Sequence, residues 1–457
     1  MAFCKPSSLF AVACFACAIW YAGAEDKKLV FAHVAWRHGA RAPKRMFKSD
    51  VDNGPSTWPH GFGELTYKGV RQAYELGAFL RRRYVKQYGL LNAAGDYSMS
   101  EAKVLSTHFN RAIMSADAVL AGLYPPHGKQ QWSKKLKWQP VPIQTTLPYK
   151  YKCPTADYMA LRALLDSDVI PRTDNDENNK RLYKILAKHT DEKVQSVLHV
   201  VKKLHDPFVS LHTHRDTHKV PVWLTDELYA RTIELVESTV QDLIESVHAK
   251  DQLVKLWGSP IIEDIASKFQ EFAQSGGQSP LKLYMHSVHD VSLAILLSTL
   301  GAFHGRPPPF AAAVMIELYN NSAGELTVKT FYRNETTAEP HEIEMARCGR
   351  VCTLQRFLDN AASLHVENRE KVCELDSERN PTTASPDDDD SAESSASIHV
   401  WIWIGGFAVV ILLDVLVAVL TACLAWSCAK RRYSPEKQGT PKVHQIIQHV
   451  ENGANAK

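Results

Sequence analysis

One apolar run constrains this chain more than any other feature: Val400–Cys428, VWIWIGGFAVVILLDVLVAVLTACLAWSC. It exceeds the roughly 20 residues a helix needs to cross a hydrocarbon core. Trp401, Trp403 and Trp426 sit near its two ends, as interfacial aromatics do, and Lys430, Arg431 and Arg432 follow at once. The positive-inside rule then puts the tail, 429–457, in the cytoplasm and the preceding bulk on the other side. Asp414 interrupts the run at mid-span, where a carboxylate costs on the order of 3 kcal/mol. It either meets a partner helix or enters protonated. Whatever precedes the run is expected to fold as an ectodomain in an oxidising compartment.

The N-terminus agrees. Lys5 is the only charge before an apolar stretch from Leu9 to Tyr21, and Ala22-Gly23-Ala24 supplies a small-x-small cleavage site. Residues 1–24 therefore read as a secretory signal peptide, and Cys14 and Cys17 leave with it. Ahead of the span, NPTTASPDDDDSAESSAS (Asn380–Ser397) lacks hydrophobic periodicity and carries four successive aspartates. Residues 380–399 read as a self-repelling stalk, with Asp387 to Asp390 a solvated spacer rather than a metal site. The ectodomain, 25–379, spans roughly 350 residues, enough for a large buried core. A net charge of +3, mixed along the chain, gives no argument for nucleic acid. Four cysteines fall in this region, Cys153, Cys348, Cys352 and Cys373, and allow three pairings. We favour a short Cys348–Cys352 loop with a long-range Cys153–Cys373 clasp. Asn320 and Asn334 head N-x-S/T sequons, consistent with a glycosylated surface. Tyr433-Ser-Pro-Glu lacks the bulky apolar fourth residue of a tyrosine sorting signal, so lysosomal and plasma membranes both stay open for this single-pass type I chain.

Within the ectodomain, Leu29–Ala35 reads as a short buried strand. From Thr66, TYKGVRQAYELGAFLRRRYV spaces Val70, Ala73, Tyr74, Gly77, Leu80 and Tyr84 as one helical face, with a basic outer face around Arg81 to Arg83. A second strand, Glu101–Ser106, leads into a helix that Pro125 and Pro126 stop. Residues 157–272 are mostly helical, and Leu281–Met285 gives a third strand before HSVHD and an apolar helix. Ala311–Asn320 and Leu326–Arg333 look like a β pair. Strands alternating with helices predict a three-layer α/β sandwich, with 157–272 a mostly α-helical cap inserted between strands, plus the one C-terminal transmembrane helix.

Ligands of open α/β sheets bind beyond the carboxyl ends of the strands. Three strand ends here carry unusual polar groups: Arg37-His38-Gly39-Ala40-Arg41, Arg111, and His289-Asp290. Guanidiniums are natural holders of phosphate. A neutral imidazole among them can attack phosphorus while the arginines stabilise the equatorial oxygens. A protonated Asp can give its proton to the departing alcohol. These parts fit phosphoryl transfer through a phosphohistidine, with no metal or other cofactor. Taken alone, R-H-G-x-R reads equally well as a surface turn, and Arg111 as a surface helix residue. A second His-Asp, His205-Asp206, lies in a helical pattern just before Pro207 and reads as a helix end. HTHRDTH (His212–His218) matches no strong zinc spacing and reads as a basic loop.

The joint pattern resembles the histidine acid phosphatase family, especially its membrane-bound lysosomal and secreted prostatic types. The family's R-H-G-x-R-x-P is Arg37 to Pro43, NRAIMSA with LYPP carries its third arginine, HSVHD its H-D, and the C-x-x-x-C at Cys348 part of its C-terminal region. The resemblance covers most of Lys28 to Cys373. It implies His38 as nucleophile, Asp290 as proton donor, and Arg37, Arg41, Arg111 and His289 as holders of the phosphate. It also implies a small phosphomonoester substrate, no metal, an acidic optimum, often a homodimer, and the Cys153–Cys373 and Cys348–Cys352 pairing. Ala40 stands where many relatives carry Asp. Two other readings remain: an inositol polyphosphate phosphatase of the same superfamily, which would need extra basic residues from the cap, and a catalytically silent receptor ectodomain.

Overall fold

The computed structural model describes residues 27–146, 153, 168–248, 251–303, 305–334, 338–349 and 351–373. The signal peptide (1–24), stalk (380–399), apolar run (400–428) and tail (429–457) lie outside the described residues. Among the described residues no helix is long and apolar enough to cross a membrane.

The chain opens with β1 (Lys28–Arg37), α1 (Tyr67–Arg81), β2 (Ala102–Thr107), α2 (Asn110–Leu123) and β3 (Gln144–Thr146). A helical segment follows: α3 (Val169–Asn175), α4 (Glu177–Thr190), α5 (Asp206–Thr213), α6 (Asp226–His248) and α7 (Asp251–Gln274). The chain then returns to the sheet through β4 (Leu283–Val288), α8 (Asp290–Thr299), β5 (Ala313–Asn320), β6 (Leu326–Arg333), β7 (His341–Ile343), β8 (Cys352–Thr353) and α9 (Leu354–Ser363). The strands join in one sheet of order β3-β2-β4-β1-β5-β6-β7, with β8 pairing β6. β3, β2, β4 and β1 run parallel, whereas β5, β6 and β7 are antiparallel. The fold is α/β, as the alternation of strands and helices predicts.

β1 shows why the sheet is covered on both faces. Its residues alternate with a period of two: Ala32, Val34 and Trp36 pack with α1 and α2, while Phe31 and Ala35 pack with α7, α8 and α9. A third cluster, holding Phe208, Leu211 and Val236, lies within the helical segment and also takes Ala42, Phe47 and Trp58 from the loop after β1. Both disulfides are formed, Cys153–Cys373 and Cys348–Cys352, with Cα separations of 4.5 and 5.1 Å. Asn320 ends β5 and Asn334 immediately follows β6.

Two expectations for α1 are corrected. Tyr74 is 49 % exposed, and Leu76 takes the inward position. The outer face is less basic than its three arginines suggest, because Arg83 is buried. A π turn, Arg82–Gln87, continues α1 and rotates Arg83 inward. There its Nε and NH2 donate to the two oxygens of Glu317 at 2.7 and 2.8 Å. Tyr84 and Tyr319 donate their hydroxyls to the same carboxylate. Arg81 spends its guanidinium on the carbonyls of Gly95 and Leu123, leaving Arg82 exposed. Glu317→Ala would strand a buried guanidinium, so a loss of about 3–5 kcal/mol is expected in urea unfolding. Arg82→Ala should change stability by no more than about 0.5 kcal/mol.

Candidate active site

β4 lies between β1 and β2 in a parallel array, so the carboxyl ends of all three strands meet at one edge. The register pairs Arg37 with Val288 and Ser106 with Ser287. This brings the His38 loop, the start of α2 at Asn110 and the start of α8 at Asp290 to the same place. Helix N-termini favour anions, because their first amides lack intrahelical partners.

The glycine of R-H-G-x-R is required by packing. A Cβ on Gly39 would collide with the Gly69 carbonyl, and one on Gly69 with the Ala40 carbonyl. The loop therefore lies directly on the first turn of α1. Gly39 N–H donates to Ser115 Oγ (3.1 Å) and Ala40 N–H to Gln72 Oε1 (2.8 Å). Thr66, whose hydroxyl caps α1 by accepting from Gly69 N–H, also donates to the Ala40 carbonyl at 3.1 Å. Beside the loop, Ala311 holds a left-handed φ of 58° while its N–H donates to the His38 carbonyl at 3.2 Å. A non-glycine residue there is strained, and such strain clusters at functional sites.

His38 is 2 % exposed. Its Nδ1 lies 2.9 Å from the Gly39 carbonyl, and its Nε2 lies 3.3 Å from Arg111 Nε. A guanidinium N–H can only donate. Nε2 is therefore the lone-pair nitrogen and Nδ1 the N–H donor to Gly39. Burial first, then Arg111, His289, Arg37 and Arg41, hold the ring well below the usual histidine range, so it is neutral at acidic pH. His289 is lowered to about 3, by burial and then Arg111, and sits 3.0 Å from Thr107 Oγ1.

The arginines are held as tightly. Arg37 donates through NH1 to the Pro308 carbonyl (2.7 Å), lies over the Phe310 ring (4.1 Å) and meets Asp290 Oδ2 through NH2 (2.8 Å). Arg41 donates through NH1 to the Ala42 carbonyl (2.8 Å) and through NH2 to Asp206 Oδ1 (2.7 Å). Arg111 is 9 % exposed and lies over Phe109. The Nε–H groups of Arg37 and Arg41 are buried without a hydrogen-bond partner. Most buried donors in proteins are paired, so two orphans on neighbouring guanidiniums mark a socket for acceptor oxygens. With the imidazoles neutral, Arg37, Arg41, Arg111 and Lys44 outnumber Asp290 and Asp206, so the socket is net positive.

All six residues singled out in the sequence thus meet: Arg37, His38, Arg41, Arg111, His289 and Asp290. Two details differ from expectation. Asp290 stands as a carboxylate: burial opposes its charge, but Arg37 and Arg41 outweigh burial and hold it below the usual range. Asp206 does not end a helix but opens α5, with Pro207 in the first turn. A π turn, Val200–His205, runs directly into Asp206, so Pro207 lies within a continuous helical stretch. The sequence signal for Asp206 was the second His-Asp dipeptide. Thr107, Phe310 and the Pro308 carbonyl carried no such signal. Of the three histidines of HTHRDTH, His212 stacks on Tyr229, whereas His214, 2.8 Å from Thr66 Oγ1, and His218 both pack against Trp58. Among the described residues no cluster of three metal-ligating side chains occurs.

A mixed sheet with an arginine cage around a neutral histidine at the carboxyl edge of its parallel strands defines an anion-handling α/β protein. More particularly, the chain belongs to branch 2 of the histidine phosphatase superfamily, whose family model matches residues 28–333. It is 31 % identical over 362 residues to the prostatic acid phosphatase of Bos taurus, covering 77 % of this chain and 89 % of that one. It is 30 % identical over 362 residues to the lysosomal acid phosphatase of Xenopus laevis, covering 78 % and 81 %. Among solved structures, the phytase from Citrobacter braakii superposes with a TM-score of 0.53 at 16 % identity, covering 76 % and 100 %. At that identity the likeness concerns the fold alone.

Proposed function

We propose that the chain is an acid phosphatase that hydrolyses small phosphate monoesters through a phosphohistidine on His38, without a metal. The observation that carries this reading is the orientation of His38, whose Nε2 lone pair faces Arg111 among the arginines. The phosphoryl oxygens of a bound ester take the free Nε–H groups of Arg37 and Arg41, with His289; Arg111 turns its Nε–H from His38 Nε2 to a phosphoryl oxygen, and the freed Nε2 lone pair attacks phosphorus. The P–O ester bond breaks, and the departing oxygen takes a proton from Asp290. Asp290 acquires that proton when the phosphate engages Arg37: the dianion weakens the ion pair that holds the carboxyl low. In the second half, water gives a proton to the Asp290 carboxylate and attacks phosphorus, the P–N bond breaks, and phosphate leaves.

The same reading takes 1–24 as a removed signal, 157–272 as a cap over a three-layer core, 380–399 as a stalk and 400–428 as the single span. The catalytic domain then faces a lysosome-like lumen or the cell exterior, as the lysosomal and prostatic relatives support. A monoester is preferred over an inositol polyphosphate, because the helical segment brings the acid Asp206 to the cage. The test is hydrolysis of an aryl phosphate by the full-length chain from pH 4 to 8, with and without chelator. Turnover that is greatest in acid and unchanged by chelator is expected. Folded protein that binds phosphate yet never turns over an ester would contradict the reading.

A further inference from the structure

Two carboxylates reach the cage, and only one has a chemical task in the reaction above. Asp206 comes from the helical segment rather than from a strand end. Its Oδ1 accepts from Arg41 NH2 and its Oδ2 from the backbone N–H of Lys44, both at 2.7 Å. One side chain thereby ties both ends of the Arg41–Lys44 turn to α5. A π turn, Val200–His205, directly precedes Asp206 and sets the register in which Phe208 and Leu211 bury in the helical segment. Burial opposes the charge of Asp206, but Arg41 and the Lys44 amide outweigh it, so the carboxylate persists in acid.

Arg41 has NH1 on the Ala42 carbonyl and NH2 on Asp206, and its Nε is the nitrogen left without a protein partner. Holding two nitrogens of a planar fork fixes the plane of the third. We propose that Asp206 is a positioning residue of the phosphate cage, acting through Arg41 by fixing the guanidinium plane that meets the phosphoryl group. The proposal rests on the cage being a phosphate site, as argued above. It opposes simple charge counting. Deleting a negative charge beside an anion site should tighten phosphate by Coulomb's law, whereas freeing Arg41 should loosen it, because the guanidinium must be ordered anew at each binding event.

The sign of the change therefore decides. The probe is inorganic phosphate on the full-length chain, read as competitive inhibition of aryl phosphate hydrolysis and as the rise in melting temperature it produces. Asp206→Ala is expected to weaken phosphate about tenfold and to raise KM alike, as loss of one charge-assisted hydrogen bond does. In an Arg41→Lys background the same substitution is expected to add nothing, since the plane it fixes is gone. Asp206→Glu is expected to restore part of the affinity. Tighter or unchanged phosphate binding in Asp206→Ala, or effects that add in the double variant, would overturn the proposal. Should Asp206→Ala not fold, Asp206→Asn, which keeps an acceptor for one of the two bonds, serves in the same comparison. If the wild-type chain binds phosphate but hydrolyses no ester, the phosphatase reading fails, while the melting series still decides the role of Asp206.

Discussion

Replacing His38 by alanine is expected to lower turnover by about 10⁴-fold or more while leaving inorganic phosphate bound within a few-fold. The asymmetry follows from the site. Three arginines hold the anion whether or not the ring is present, but alanine removes the nitrogen that attacks phosphorus. His38 is buried between Arg111 and the Gly39 carbonyl, so alanine removes one side chain without freeing the loop, which remains tied through Gly39 to Ser115 and through Ala40 to Gln72. Phosphate protection against thermal unfolding separates lost chemistry from a lost site. The pH profile should carry a second signature. A histidine of ordinary pKa would be protonated and inert below about pH 6. The burial and arginine neighbours that hold His38 low keep it nucleophilic in acid, so the wild-type rate should not fall away near pH 6.5 as pH decreases.

Asp290→Asn is expected to divide substrates by leaving group. An alkyl phosphate releases a strongly basic alkoxide and needs the proton, so its kcat should fall by about 10²–10⁴-fold. An aryl phosphate with an acidic phenol leaves unaided, so its first step, read as the pre-steady-state burst of phenol, should lose far less, although the second step slows for both esters. The sign of the pH effect follows from the pair with Arg37, which holds the carboxyl below its usual range in the free site. Engaging the phosphate on Arg37 raises it, and kcat then declines as pH rises through this higher value. Asp290→Asn should abolish that alkaline decline for alkyl esters, because the amide neither gains nor loses the proton. A uniform loss of the first step across leaving groups, with the decline preserved, would place Asp290 in binding rather than proton transfer.

How much of this was legible beforehand depended on whether a residue's role is set by its neighbours in sequence or by distant ones. The strand ends were legible because apolar runs stop at charged clusters, and parallel packing puts such ends together. All six cage residues lie at those ends. β1 proved longer than read, Lys28–Arg37 rather than Leu29–Ala35, because pairing with β4 and β5 on both sides carries the strand through Trp36 and Arg37. Arg83 was misread for the opposite reason. Its sequence neighbours, Arg81 and Arg82, suggest a solvated face, whereas its partner Glu317 lies 234 positions away on β5. Asp206 shows the same limit: a His-Asp before proline resembles a helix end until a π turn feeds it into α5 and Arg41 meets it from 165 positions upstream. The protonation of Asp290 could not be read either, because a carboxyl's charge depends on which guanidinium lies within hydrogen-bond reach.

The most direct test of the account is to trap the covalent intermediate. Full-length chain mixed with a radiolabelled aryl phosphate and quenched in alkali should retain label on one peptide. The label should be stable to base, lost in mild acid as phosphohistidine is, mapped to His38 and absent from His38→Ala. Asp290→Asn should still accumulate it from an aryl ester, since release of an acidic phenol needs no proton while the second step loses its base. Label on another residue, or none during measurable turnover, would contradict the account.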